Sequence, residues 1–543
     1  MRRALPVAIV LAVFAVVVVF LATPRGTPSS SYDALVDLFR EWREFARPSM
    51  DAGVPDYGAA AMAAQSRALP AWQARLAAID TSRWPVAQRH DHAVVEAEMA
   101  GLDFDHRVRK PWARDPGFYR VVYVSQSDTP APEGVAGEGV LEVWRHDFPI
   151  DGAALEDVRT RLRAARGRLE QARANLTGDG RDLWRAGVAV FHDQVNALDT
   201  LTSRLAAVQP DLAPDAKDAA GAAREFLAWL EAELPKKQGA SGIGIDAYDW
   251  HARRVRLSPH TWSDQVAILE RELARAWSSL RFEESRNRDL PPLTATTVAE
   301  EHDRRSQEAV TDFLEFARTR EIFTVEPFMD AALRAQVGRY LPPSPPREFF
   351  READHHDAMA MRVHDMHWIE LARMELEPHA SPIRRVPLLF NIWVDRAEGL
   401  ATGLEEQMLV AGLYDPRPRS RESVWILLAQ RAARGLGDLM MHANRWTLDE
   451  AAEFTVKNTP RGWLRIDGRT VWREQHLYLQ QPGYGTSYII GKVELDALIA
   501  ERMRDDGAEF SLRATLDAVQ HAGMIPLSLI HAELAAERSS SSP

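Results

Sequence analysis

Residues 258–280 read SPHTWSDQVAILERELARAWSSL, and the apolar positions Trp262, Val266, Leu269, Leu273, Trp277 and Leu280 recur every three or four residues. That is the spacing of one buried face of an α-helix. The same period runs through Leu35, Leu38, Phe39 and Trp42, and through Leu155, Val158, Leu162 and Leu169. Cap chemistry agrees: Ser258-Pro259 is expected to start one helix, Thr447 with Glu450 to form a capping box, and Gly523 to close a helix begun near Ser511. Alternation is too weak for a large sheet, and short strands are expected only at 120–124 and 323–328. The expected fold class is mainly α, a multi-helical domain with an additional N-terminal helical region and few short strands.

At 543 residues the chain is too long for one core. Three stretches rich in Gly or Pro, 127–139, 238–244 and 342–346, cannot continue a helix and divide it. The division expected is an N-terminal signal anchor (1–26), an N-terminal helical region (27–240), a middle helical region (241–342), a C-terminal helical domain carrying the candidate site (343–538) and a disordered tail (539–543). Met1-Arg2-Arg3 precedes an unbroken apolar run over residues 4–22, just long enough at about 1.5 Å per residue to span a bilayer. The two arginines belong on the cytoplasmic side, which puts the bulk of the chain outside it, periplasmic or at the cell surface. Phe20 stands two residues before Ala22, a poor cleavage site, so an uncleaved single-pass membrane anchor is expected.

Composition narrows the chemistry. Cysteine is absent, so thiol catalysis and thiolate metal sites are excluded, and a metal must be held by His, Asp or Glu. A net charge of −12 argues against nucleic acid as a partner. There is no GxSxG, no GxxxxGK[ST] and no GxGxxG after a strand, so serine hydrolase and nucleotide-binding readings have no motif.

Between Phe349 and Met374 the chain reads FFREADHHDAMAMRVHDMHWIELARM, expected as one helix carrying His355, His356, His364 and His367. On such a helix His364 and His367 share a face and His356 lies within about 20° of His367. Glu370 lies about 120° from His364, and Asp365 about 100° away, so Asp365 needs a bend or a bridging water to join them. Two imidazoles three residues apart can bind one metal; the alternative is a polar face bonded to buried carbonyls. Further on, Glu398, Thr402 and Glu405 occupy one stripe of RAEGLATGLEE. A carboxylate from a second helix added to two histidines completes an open three-ligand zinc site. The competing reading is a charged helix paired with arginine.

The segments RAEGLATGLEE (396–406), AGLYDPR (411–417), LAQRAARGLGDLMMHANRWTLDEAAEF (428–454), EQHLYLQQPGYGTSYIIGK (474–492) and FSLRATLDAVQHAGMIPLSLI (510–530) resemble, in order and spacing, the bacterial domain-of-unknown-function family numbered 885. The resemblance covers roughly residues 347–537 and, more loosely, 245–287. It implies a zincin-like helical fold with a metal site built from H-E-x-x-P-G-H on one helix and a glutamate of an E-G-W-A-x-Y-x-E helix. His364 then corresponds to the first histidine, Asp365 to the general-base glutamate, and Glu398 and Glu405 to the two glutamates. His442 falls where the family has a histidine before G-W-T, and Pro482, Ser487, Tyr488 and Gly491 fall in its P-G-Q-A-x-S-Y-x-x-G segment.

This chain departs from that pattern. Trp368-Ile369-Glu370 stands where the family has P-G-H, so the helix break that swings the second histidine inward is expected to be missing, and His367 is the replacement candidate. Asp365 is one methylene shorter than glutamate. On the resemblance, His364, His367 and Glu398 hold Zn2+ or another divalent metal, Asp365 or Glu405 takes a proton from water, and His442, Tyr484 or Tyr488 donates to an oxyanion. The implied activity is metal-dependent hydrolysis of a peptide or amide bond. The alternative is a degenerate, metal-free protein that binds an envelope ligand or partner through the same cleft.

Overall fold

The computed structural model describes residues 31–131 and 136–541, with side chains to residue 538. The expected membrane anchor at residues 4–22 lies outside these. Among the described residues no helix is long and apolar enough to cross a membrane.

The chain is mainly helical, as its periodicity requires. Strands are limited to two pairs of two residues, Met50–Asp51 antiparallel to Val54–Pro55 and Val122–Tyr123 parallel to Leu141–Glu142. The strand expected at 323–328 does not form, because Pro327, suited to a first helical turn, opens the helix Pro327–Arg334 there. The helix expected to start at Ser258-Pro259 begins instead at Trp262, where Thr261 and Asp264 make a reciprocal capping box. The Thr447/Glu450 box and the Ser511 cap form as expected.

Apolar side chains gather in two cores. The smaller lies among the helices Gly152–Asn175, Arg181–Val208 and Ala213–Glu233, around Leu162, Leu198, Phe226 and Leu230. The larger joins the helices before Asp105 to the whole C-terminal half. A buried ionic knot ties its ends together: Arg384 donates to Asp91 and to Glu533, each at 2.6 Å. Four helices form its centre, Trp262–Arg286, Val394–Ala411, Ser420–His442 and Tyr484–Asp506. Between the two halves opens a cleft of about 1850 Å³, walled by residues 120–131 and the helix Arg181–Val208 on one side and by residues 350–375 and the helix Arg469–Gln480 on the other.

Candidate metal centre

The 349–374 stretch is three helices, not one: Phe349–His356, Ala358–His364 and Met366–Leu376. Asp357, at φ −153° and ψ 92°, ends the first, and its carboxylate caps the second by accepting from the Met359 N–H at 3.2 Å. Asp365, with ψ 6°, kinks the chain a second time. A helix break is therefore present without the Pro-Gly pair, and the reason is local: short acidic residues favour caps over helix interiors. The kink leaves His364 at the end of one helix and His367 in the first turn of the next, with their rings 5.0 Å apart and at 84°. His355 and His356 are turned elsewhere. His355 accepts from the Leu341 N–H at 3.1 Å and donates to the Arg351 carbonyl at 2.7 Å, and His356 packs on Trp463. The group His302, Asp354 and His355 is thus a hydrogen-bonded network in which His355 has no nitrogen to spare.

Glu398 reaches the histidines because two helices cross without side chains between them. A methyl placed on Gly399 would lie 2.4 Å from Gly491, and one on Gly491 would lie 1.9 Å from the Asp395 carbonyl oxygen. This close approach brings Tyr484, at the start of its helix, against Glu398, and the phenol donates to Glu398 Oε1 at 2.9 Å. The other oxygen, Oε2, lies 3.1 Å from His367 Nε2. Both atoms are buried, yet neither is in line for a hydrogen bond. One ligand atom from each of His364, His367 and Glu398 lies within 4.8 Å of the others. Two imidazoles and one carboxylate, with two of their atoms orphaned, fit a divalent cation in an open three-ligand site.

The electrostatics are strongly biased. Burial would depress His367, but the Glu398 carboxylate outweighs it and lifts the imidazole to about 9. Burial likewise raises Glu398, and the charge on His367, with help from the Tyr484 phenol, brings it down to about 2. His364 is lowered by burial and then by the Arg431 guanidinium. Arg431 grips Glu405 with both arms, at 2.6 and 2.8 Å. His364 Nδ1 sits 3.0 Å from Glu405 Oε1 and 3.1 Å from Arg431 Nη2. Asp365 faces the cleft beside His364, with Oδ2 2.8 Å from Arg362 Nη1. Burial, partly offset by Arg362, raises its carboxyl to about 7. Arg362 also donates to Asp354 at 3.1 Å, and Asp354 contacts His302 at 3.1 Å.

The remaining expected residues divide. Tyr488 lines the cleft, its ring 4.0 Å from the Arg434 guanidinium. His442 is not brought to the group: it is fully buried, Nε2 donates to the Tyr478 carbonyl at 2.9 Å, and burial lowers it to about 4. Four residues that the sequence reading passed over belong here: Arg431, Arg434, Glu474 and Asp128. The first two were detectable as arginines three apart amid the small and apolar residues of LLAQRAARGLG. Asp128 left no such signal, lying in a Gly- and Pro-rich stretch, though its charge helps raise both Asp365 and His367.

Fold and site together describe a mainly helical protein with a buried His-His-Glu group that meets a wide cleft through His364. Its C-terminal part, residues 367–534, matches the family described as bacterial protein of unknown function (DUF885). That span holds Glu398, Glu405, His442, Tyr484 and Tyr488, while His364 and Asp365 lie just ahead of it. Two solved structures share the fold. A "putative lipoprotein of unknown function" from Shewanella oneidensis is 15% identical, with a TM-score of 0.68 over 93% of this chain and all (100%) of its own. A "putative lipoprotein" from Colwellia psychrerythraea is 14% identical, with a TM-score of 0.67 over 94% of this chain and 100% of its own. No curated protein matches the chain.

Proposed function

We propose that the protein is a metal-dependent hydrolase of peptide or amide bonds that works in the cell envelope. The observation that carries this is the convergence of His364, His367 and Glu398, with His367 Nε2 and Glu398 Oε2 3.1 Å apart but out of line for a hydrogen bond, beside a cleft large enough for an extended chain. The envelope location is supported by the basic-flanked apolar run at residues 4–22 and by the lipoprotein description of both structural neighbours.

His364, His367 and Glu398 would hold the ion, which when bound supplies Lewis-acid chemistry at a carbonyl and a water. Glu405 and Arg431, 3.0 and 3.1 Å from His364 Nδ1, hold the His364 ring by that nitrogen. Asp365, with a carboxyl near 7, is poised to take a proton from water and return it to a leaving amine. Tyr484 fixes Glu398 by its hydrogen bond, and Tyr488 stands in the cleft as the donor for a developing oxyanion.

The test is hydrolysis by the full chain loaded with zinc, read as new amino groups from a mixed peptide pool. Turnover that disappears with chelator and in His364→Ala supports the reading, and turnover unaffected by both contradicts it. A second reading, a metal-free envelope ligand-binding protein, has one observation in its favour: Glu405 is already neutralised by Arg431. Ligand capture without turnover or metal would establish it.

A further inference from the structure

The cleft has a feature that the metal centre leaves unused. Most arginines on its walls are neutralised, Arg185 by Asp449 at 2.5 Å, Arg469 and Arg473 by Asp193 at 2.6 and 3.0 Å, and Arg434 by Glu474. Arg204, Arg351 and Arg385 also lack an ion pair among the described residues but are exposed, and Arg120 differs from them in its burial. It lines the cleft half-buried, it has no ion pair among the described residues, and its Nε is buried without a hydrogen-bond partner. The Tyr123 ring stands 5.7 Å from the guanidinium carbon, and the buried Asp115 carboxylate feels its charge without forming an ion pair with it. A half-buried guanidinium left unpaired gives up hydration without return unless a ligand supplies the anion.

His476 stands with it. It comes from the helix Arg469–Gln480 on the other wall, it is 6% exposed, and its Nε2 also lacks a partner. One turn on, Gln480 donates to Asp115 Oδ2 at 2.5 Å, which fixes that face of the helix against the segment leading to Arg120. Burial, reinforced by the Arg120 charge, holds His476 well below its usual value, so the ring is neutral. The pair therefore offers one positive charge and one uncharged imidazole. That suits a monoanion: a planar carboxylate matches the guanidinium fork, whereas a phosphate dianion would be left undercompensated in a chain of net charge −12 that also places Asp128 and Glu142 on this wall.

We propose that Arg120 and His476 form a recognition subsite for a single carboxylate of the ligand, the free C-terminus of a peptide. The peptide nature of the ligand rests on the hydrolase reading, but the binding step needs no metal. The experiment is accordingly run on the full chain stripped of metal, by titration calorimetry with three acetylated peptides: one with a free C-terminal carboxylate, its C-terminal amide, and an amide carrying a glutamate side chain. The free acid is expected to bind roughly ten- to hundredfold more tightly than the plain amide, the range of charged hydrogen bonds. Arg120→Gln should abolish that preference while leaving the amide's affinity unchanged, and His476→Gln should reduce it in part. Arg120→Lys, which keeps charge but not the fork, should fall between, and serves if the glutamine variant does not fold. A wild-type protein without preference, or a preference that survives Arg120→Gln, overturns the subsite. Tightest binding by the glutamate-bearing amide overturns the C-terminal assignment in favour of an acidic side chain. Since no metal is present, none of these outcomes depends on whether the loaded protein hydrolyses anything.

Discussion

His367 Nε2 lies 3.1 Å from Glu398 Oε2, both atoms buried and neither aligned for a hydrogen bond. A pair content with itself would turn to share the proton in line. One ligand atom from each of these two residues also lies within 4.8 Å of one from His364.

That relationship has a pH signature. Free of metal, His367 is raised to about 9 from 6.5, so its share of the pair's stability is complete below about 6.5 and is lost as pH rises through 9. Glu398 is depressed to about 2 from 4.5, so its share is present above about 4.5 and is lost as pH falls toward 2. Urea unfolding of the metal-free protein should therefore show His367→Gln costing most near pH 5.5 and much less near pH 10, values that bracket that window by roughly one unit on each side. A cost that is flat across that range would show that the charges of the two residues are not coupled.

Metal uptake should release a proton. At neutral pH His367 is protonated, and the imidazole must lose that proton to bind. Calorimetry of zinc binding in buffers of different ionisation enthalpy should report close to one proton released near pH 7, falling toward zero above about 9. Proton-independent binding would remove His367 from the ligand set.

Gly399 and Gly491 let the Glu398 and Tyr484 helices touch. Gly491→Ala should cost about 1–3 kcal/mol, as overpacking does, and should weaken metal retention by displacing Glu398. Urea unfolding and dialysis against a chelator measure the two effects. A neutral substitution would mean that the helices can part without harm.

Arg431 and Glu405 are both fully buried. Arg431→Met alone should cost about 3–5 kcal/mol by stranding a carboxylate, and the double variant with Glu405→Gln should recover much of it. Equal losses in the single and double variants would show that the pair contributes nothing beyond packing.

Much of the fold was legible in the sequence because helical period and caps are local: Thr447 with Glu450 and Ser511 behave as their spacing dictates. The three ligand candidates were legible for the same reason, His364 and His367 by interval and Glu398 by its stripe. The kink at Asp365 was not, because a family pattern that breaks its helix at Pro-Gly hides the fact that an aspartate with ψ near 0° can do so too. Nor were the residues that arrive from far away. Arg120 and Asp128 meet the C-terminal half only through tertiary packing, and His442 was assigned by motif position although burial ties it to the Tyr478 carbonyl.

The most direct measurement is metal content by inductively coupled plasma mass spectrometry on the purified protein and its His364→Ala and Glu398→Ala variants. One divalent ion per chain in the wild type, lost from both variants while their helical circular dichroism is retained, is the predicted result. Full occupancy in either variant, or no metal in the wild type even after reconstitution with zinc, would contradict the account.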